Sequence, residues 1–474
     1  MLAERPPEKA QSLNLEISWH FLRGEDAPAA LPSALRGADQ AIRLGAPSEA
    51  EHILRALLRE PTLGAVVQLI RLHLANALLD QSKGDAAIPV LDTLLEDPTL
   101  PPRDYAQVAR LRAAAEYLHT TGTGPGYGAA AIRAVEASRQ VGDLEIQGKA
   151  LFEYARSGVV AGDQIRLASA QTETERLLEH PGAQDIPILH YTSAYCHYVA
   201  HELRRSANSL ERAIELLHAS SARVAELSFA YTGYGSCMQG LCEFDVSDHA
   251  FRTALDLAKK SGDDSRASII ASNLCGTEMF RGNYEAAIEI GKRSVDLAAR
   301  VPHQPGILLS FSNLAGVYAL TGQKDEALRW LDQAHSLNAG QRSWEETLEL
   351  LIASASITLT MGNLSLALEL IEEAETAATG RESVVSNAGP FDKLRVFRVA
   401  HTKGPDPAAV LAREVCRKYK DRHPMYYLDA LAVTAWLERR TTGHHGSVTL
   451  GDLQALGKRA PGKHALLVAQ GFLS

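Results

Sequence analysis

The chain has 474 residues, 46% hydrophobic, 22% charged and only 6% aromatic, which excludes a disordered tail and suffices for several ordinary domains or one extended repeat array. Its 57 acidic and 48 basic residues leave a net charge of −9, spread along the chain with no basic block, so direct nucleic-acid or polybasic membrane contact is not expected. The five cysteines, Cys196, Cys237, Cys242, Cys275 and Cys416, form no CxxC pair and are too few for a disulfide framework, which fits reduced thiols in a cytoplasm.

In chain order, Met1 to Gln11 has two prolines and no apolar core, so it predicts no export signal. Leu15 to Leu22 reads as a first helix, and Gly45, Ala50, Leu54 and Leu57 share a spacing that recurs in Gly322, Ala327, Leu331 and Ala334. Gly84-Asp85 marks a further hairpin turn, and between Thr120 and Gly128 such a turn expands to TTGTGPGYG. Ala155 and Gly162 match Ala315 and Gly322, and Ser206, Leu210 and Ala213 anticipate Ser247, Phe251 and Ala254 at a spacing of 41.

From Cys242 onward the register is strict: Gly282, Gly322 and Gly362 are 40 residues apart, as are Ala287, Ala327 and Ala367. Gly291, Leu331 and Ile371 keep step with them, and so do Ser294, Ala334 and Ala374. Leu308 to Leu320 and Asp325 to Leu337 both have apolar residues at helical spacing, so each unit is predicted to be a helical hairpin. Each glycine ends the first helix in a left-handed conformation, with Asn283, Gln323 and Asn363 following as turn residues. The alanines fall where the two helices cross, since only a small side chain lets the axes approach. Leu350 to Leu368 is free of charge for nineteen residues, but this hairpin pattern, not a membrane span, accounts for it.

Beyond Gly380 the register is lost around Asn387 to Pro390, and helices are expected over Lys393 to Thr402, Ala408 to Lys418, Met425 to Arg440 and His464 to Phe472. These readings predict an all-α solenoid of about nine hairpins: N-terminal hairpins over 1–58, a repeat array over 59–380 and a helical cap over 381–474 that covers the last apolar face.

The order Leu314, Ala315, Tyr318, Gly322, Ala327, Leu331, Ala334 resembles the tetratricopeptide repeat, with a period near 40 in place of 34 and no closing proline after Ala334 or Ala374. The resemblance implies a right-handed solenoid whose first helices line a concave face that binds a protein or peptide. Such long-period arrays also resemble those attached to bacterial signalling ATPases of the STAND type and to large transcriptional activators. Leu15 to Leu22 looks like the first helix after such an ATPase module. This second resemblance implies an alternative function, a regulatory sensor that binds a small effector or a partner domain.

Catalytic signatures are not expected. The glycine-rich segment Gly122 to Gly128 lacks the preceding strand and the Lys-Ser/Thr of a phosphate loop. His197 and His201, four apart beside Cys196 and Glu202, form the best metal-like cluster, but they lack the glutamate of a zincin and a third ligand, so no metal or cofactor is expected. His444-His445 reads as a solvent-facing pair in a loop, and Glu345-Glu346 and Glu372-Glu373 as solvated helix faces. Cys237 and Cys242 read as small apolar packers, Cys242 standing in the slot of Gly282.

A surface remains. Ser272-Asn273-Leu274 and Ser312-Asn313-Leu314 repeat one Ser-Asn pair on adjacent first helices, similar to the asparagine ladders by which relatives hold a peptide backbone. Asn273 and Asn313 could equally bond neighbouring helices within the scaffold. The next first helix offers Glu349 and Ala353, not the Lys or Arg that would clamp an acidic C-terminus.

Overall fold

A computed structural model describes residues 7–120, 126–220, 224–300, 307–337, 344–381, 388–442 and 447–473. Among these residues there are 24 α-helices and no strand. The first three, α1 (Pro7–Arg23), α2 (Ala27–Leu44) and α3 (Pro47–Leu57), lead through a short 3-10 turn into the array. There the helices are α4 (Val67–Leu79), α5 (Gly84–Leu95), α6 (Pro102–Thr120), α7 (Gly126–Val141), α8 (Leu144–Ala161), α9 (Gln164–Leu178), α10 (Pro187–Val199) and α11 (Leu203–Ala219). The strict repeats hold α12 (Val224–Gly240), α13 (Phe244–Lys260), α14 (Asp264–Arg281), α15 (Tyr284–Ala298), α16 (Ile307–Leu320), α17 (Lys324–Ser336), α18 (Trp344–Thr360) and α19 (Leu364–Ala378). The C-terminal part is α20 (Ala388–Thr402), α21 (Pro405–Tyr419), α22 (Pro424–Thr442), α23 (Ser447–Arg459) and α24 (Pro461–Ala469).

Consecutive helices pack as antiparallel hairpins, and from α4 onward even-numbered helices also touch the next even-numbered one while odd-numbered ones are splayed apart. The even helices therefore form the inner, small-radius layer of a right-handed solenoid. The repeat register explains the hairpins. Gly282, Gly322 and Gly362 take φ of 88°, 78° and 83°, a conformation without Cβ strain only for glycine. Ala287, Ala327 and Ala367 are fully buried at the crossings. Gly291 replaces the Leu331 and Ile371 position because a Cβ there would lie 2.8 Å from Leu314.

The same left-handed slot is filled by Gly162, by His201 at φ 60° and by Cys242 at φ 60°. Cys242 is thus more than a small packer: it holds a turn that costs a non-glycine residue roughly 1 kcal/mol or more. The helix α23 adds to the four helices expected in the C-terminal part, and the charge-free stretch 350–368 spans the end of α18, the turn and the start of α19. Among the described residues no helix is long and apolar enough to cross a membrane.

Ten helices make one superhelical turn, and successive turns stack edge to edge. Trp344 at the start of α18 donates from Nε1 to the Val160 carbonyl at the end of α8, 2.6 Å away. Arg459 reaches the Leu241 carbonyl beyond α12 at 2.6 Å. At the start of α24, Gly462 sits so close to α14 that a Cβ would lie 1.9 Å from the Met279 carbonyl oxygen. The N-terminal ends of inner helices in one turn thus rest on the C-terminal ends of those ten helices earlier.

Candidate functional site on the inner face

The repeated Ser-Asn pairs lie on α14 and α16. Ser272 is fully buried, whereas Asn273, Ser312 and Asn313 are half-buried. The amide nitrogen of Asn313 donates to the Ser272 carbonyl at 3.0 Å and to Ser272 Oγ at 3.1 Å, tying α16 to α14. Gln239 on α12 makes the equivalent tie, donating to the Asn273 carbonyl at 3.2 Å and to Thr277 Oγ1 at 2.9 Å. The amide donor of Asn313 therefore serves the scaffold, and the Asn273 side chain bonds to nothing among the described residues.

A row of aromatic rings crosses the inner layer further toward the N-terminus, one or two per helix. It runs from Tyr117 on α6 through Phe152 on α8 and Tyr191 and Tyr195 on α10 to Phe229 on α12. Phe152 lies 5.3 Å from Tyr191 and 5.2 Å from Tyr195, and Tyr191 lies 5.9 Å from Phe229, mostly edge to face. A guanidinium stands over each end of the row. Arg156 is 3.5 Å from the Tyr117 ring centre and Arg266 is 4.1 Å from that of Phe229. Both are fixed from behind: Arg156 by Glu153 at 2.5 Å and Tyr127 at 2.9 Å, Arg266 by the Ala225 carbonyl at 2.8 Å and Asp263 at 3.1 Å. Burial works against the charge of Arg156, and Glu153 with Tyr127 and Tyr117 outweighs it, so its pKa is raised and it stays cationic.

Phe152, Tyr191 and Phe229, with Ile188, Leu217 and Arg266, line an open cleft of about 550 Å³ at the N-terminal ends of α8, α10, α12 and α14. Phe229 remains 40% exposed, as does Tyr198 one turn further along α10. From the next superhelical turn, Glu345 on α18 comes within electrostatic reach of Tyr117 and Tyr195. Burial, with Glu349 and Glu346 beside it, pushes the Glu345 carboxyl up to about 8. This corrects the expectation of a solvated acidic face there: Glu345 and Glu346 are part-buried where the turns stack.

The histidine pair does not form a joint site. His197 is buried on α10 with Nδ1 3.0 Å from Glu202 Oε2, whereas His201 lies beyond the helix end and packs on Tyr419, His423 and Tyr426 of the C-terminal part. Among the described residues no three His, Cys, Asp or Glu side chains gather as metal ligands would. Burial pushes the thiols of Cys196, Cys237 and Cys275 up to about 12 and that of Cys242 to about 11, far from thiolate chemistry at neutral pH. The glycine-rich segment 122–125 and His444-His445 lie outside the described residues, while Tyr127 opens α7 and is buried, its hydroxyl donating to Glu153 Oε2 at 3.0 Å.

The aromatic row escaped the sequence reading although its signal was there: Phe152, Tyr191 and Phe229 are 39 and 38 residues apart, one per repeat. A tetratricopeptide-repeat model matches residues 265–339. Among solved structures, a Rap protein complexed with Competence and Sporulation Factor superposes with a TM-score of 0.57 at 11% identity, covering 85% of this chain and 99% of that one. The Rap conjugation gene regulator of plasmid pLS20 with the Phr* peptide reaches 0.44 at 14% identity, over 80% of this chain and 97% of that one. The apo quorum sensor NprR from B. thuringiensis reaches 0.43 at 12%, over 77% and 99%. No curated protein matches the sequence. With the glycine register and the inner layer in place, the chain is an all-α solenoid of tetratricopeptide-like helical hairpins.

Proposed function

We propose that the array is a non-catalytic binding module whose concave face takes an extended segment of a partner protein or peptide, with an apolar side chain of that segment entering the cleft between Phe152, Tyr191 and Phe229. The observation that carries this reading is the aromatic row itself. The hairpin crossings are closed by alanine, yet the inner face spends large rings on positions that stay part-exposed, and exposed aromatics grouped in a concavity are what binding surfaces offer. The Rap protein of similar fold was solved in complex with Competence and Sporulation Factor, which supports a binding role for a fold of this kind. The carboxylates of Glu346 and Glu349, within electrostatic reach of Tyr117 and Tyr198, favour a segment that brings a cationic group over one that ends in a bare carboxylate. Of the repeated pairs, Asn273 is the amide left to meet a peptide unit, with Ser272, Ser312 and Asn313 as its support.

A second reading, a sensor for a small effector, is favoured by the size of the cleft, since about 550 Å³ falls within the range of small-molecule sites.

Selection of displayed peptides on the intact chain, with counter-selection on Phe229→Glu, tests the first reading. The expected outcome is enrichment of sequences that pair an aromatic or aliphatic residue with Lys or Arg and bind Phe229→Glu at least tenfold more weakly. Binders indifferent to Phe229→Glu would refute it.

A further inference from the structure

The net charge is unevenly divided, which corrects the expectation of an even spread. Residues 381–474 hold 15 Lys and Arg against 8 Asp and Glu, net +7, whereas residues 1–380 hold 33 against 49, net −16. Several cations of this C-terminal part are committed internally: Lys393 and Lys463 to Asp429, Arg398 to Glu372 and Glu375, Lys418 to Asp392, and Arg459 to Glu243. Arg413, Arg417, Lys420 and Arg422 are not. They are exposed and pair with no carboxylate among the described residues.

These side chains are ordered on the fold. The buried side of α21 is Ala408, Ala412, Val415 and Tyr419. Val410, Arg413, Arg417 and Lys420 recur at i, i+3, i+7 and i+10, one stripe on the opposite side. Because α21 belongs to the outer layer, this stripe faces away from the aromatic row. Cations in the last helical turn complement the helix dipole, which accounts for Arg417 and Lys418, but Arg413 lies at the middle of α21 and Lys420 and Arg422 lie beyond its end.

We propose that the outer stripe of α21 is a docking surface for an acidic, mixed-charge protein surface. Charge complementarity identifies the occupant. Val410, 50% exposed, sits in line with the cations, and Glu414 and Asp421 adjoin them, so the stripe suits a protein element that brings carboxylates and an apolar side chain together. Duplex DNA carries about one charge per 1.7 Å of axis; Glu414 and Asp421 beside the stripe and the −16 of residues 1–380 both oppose it, and no exposed aromatic on the stripe offers a base a stacking surface.

The test compares the intact chain with R413E/R417E/K420E and with R413Q/R417Q/K420Q, after circular dichroism has verified that all three melt alike. The probes are a fluorescein-labelled, glutamate-rich amphipathic helical peptide with one leucine face, a 20-base-pair DNA duplex and phosphatidylserine vesicles. The expected result is salt-sensitive binding of the peptide that weakens at least tenfold in the Glu variant and by less in the Gln variant, with Phe229→Ala binding as the parent does. Tighter binding of DNA or vesicles than of the peptide, no peptide binding, or peptide binding indifferent to the reversal would overturn the proposal. So would a dimer of the parent that the reversal dissolves, since the acidic partner would then be a second copy of this chain.

Discussion

Between α6 and α12 the inner layer presents Tyr117, Phe152, Tyr191 and Phe229 part-exposed, whereas between α20 and α24 the same layer buries Lys393, Asp429 and Lys463, one on each of three successive inner helices. The hairpins are built alike in both regions; what differs is what covers them. The N-terminal ends of α8 to α14 border an open cleft. The N-terminal ends of α22 and α24 are pressed against α12 and α14 from the preceding turn, and polar groups placed there must be satisfied within the protein. Asp429 meets Lys463 at 2.9 Å and Lys393 at 3.4 Å, one buried anion between two buried cations. Gln470 accepts from Lys393 at 2.6 Å and donates to the Ser356 carbonyl at 3.1 Å, stitching the chain end to α18. The comparison teaches that one repeat can serve as a surface or as a seam, according to whether another superhelical turn presses on the N-terminal ends of its inner helices.

The sharpest way to break that contrast is to remove the anion. Asp429→Ala leaves two buried ammonium groups without a counter-charge, which typically costs about 3–5 kcal/mol. Burial already depresses Lys393, with Asp429 opposing the shift, to a pKa of about 8, so loss of Asp429 pushes it lower still. A large fall in melting temperature is expected, together with proteolytic cleavage near α23 and α24. Phe229→Ala, which removes a part-exposed ring, should cost about 1 kcal/mol or less. Comparable losses in thermal denaturation of the two variants would contradict the division into seam and surface.

Acid should act on the seam in a graded way. His201 in the α10–α11 turn and His423 in the α21–α22 turn face each other, their rings 6.0 Å apart, with Tyr419 and Tyr426 against them. Burial lowers His201 to about 4, helped by Lys418 and Arg422 and opposed by Asp392, and burial with the charge of His201 lowers His423 well below its ordinary value. Both are neutral in the fold at pH 7. Below about 6.5 the unfolded chain binds protons that the fold refuses, so stability falls as pH drops toward about 4, by up to roughly 1.4 kcal/mol per pH unit for each histidine. Glu345 works in the opposite sense, since its raised pKa favours the fold as pH falls from about 8. Chemical denaturation of His423→Phe between pH 7.5 and 5 separates the two: its pH dependence should be flatter than that of the parent. Parallel curves would remove the seam histidines from the explanation.

Legibility followed backbone necessity. The glycines at 282, 322 and 362 announce left-handed turns because other residues adopt φ near +80° only with strain, and the alanines at the crossings repeat with them. His201 and Cys242 take the same turn without glycine, so the left-handed slot is not announced there by residue type, and His201 stands beyond the end of the helix that carries His197. The stacking of turns rests on pairs such as Trp344 with Val160 and Arg459 with Leu241, about two hundred residues apart and unmarked by any local period. What lies between turns, including the part-burial of Glu345, could not be read from spacing. The aromatic row, in contrast, is written in the sequence, because Phe152, Tyr191 and Phe229 keep nearly the spacing of the glycines.

The finest separation lies within the repeated Ser-Asn pairs, where one amide is bonded within the scaffold and its twin has no bond among the described residues. Asn313→Ala removes two hydrogen bonds, to the carbonyl and hydroxyl of Ser272, and leaves the buried Ser272 hydroxyl without that donor. At about 0.5–1.5 kcal/mol per net hydrogen bond, a loss of about 1–3 kcal/mol is expected. Asn273→Ala removes a side chain with no bond among the described residues, and should leave the denaturation midpoint unchanged within about 0.3 kcal/mol. Its effect belongs to binding instead: a peptide unit paired with that amide would lose about 0.5–1.5 kcal/mol, a factor of roughly two to twelve in affinity for the selected peptides. Equal stability losses for both variants would place Asn273 in the scaffold beside Asn313. Equal affinity losses with no change in stability would restore Asn313 to the groove, because an amide held by Ser272 in the free protein cannot also be the donor a peptide requires.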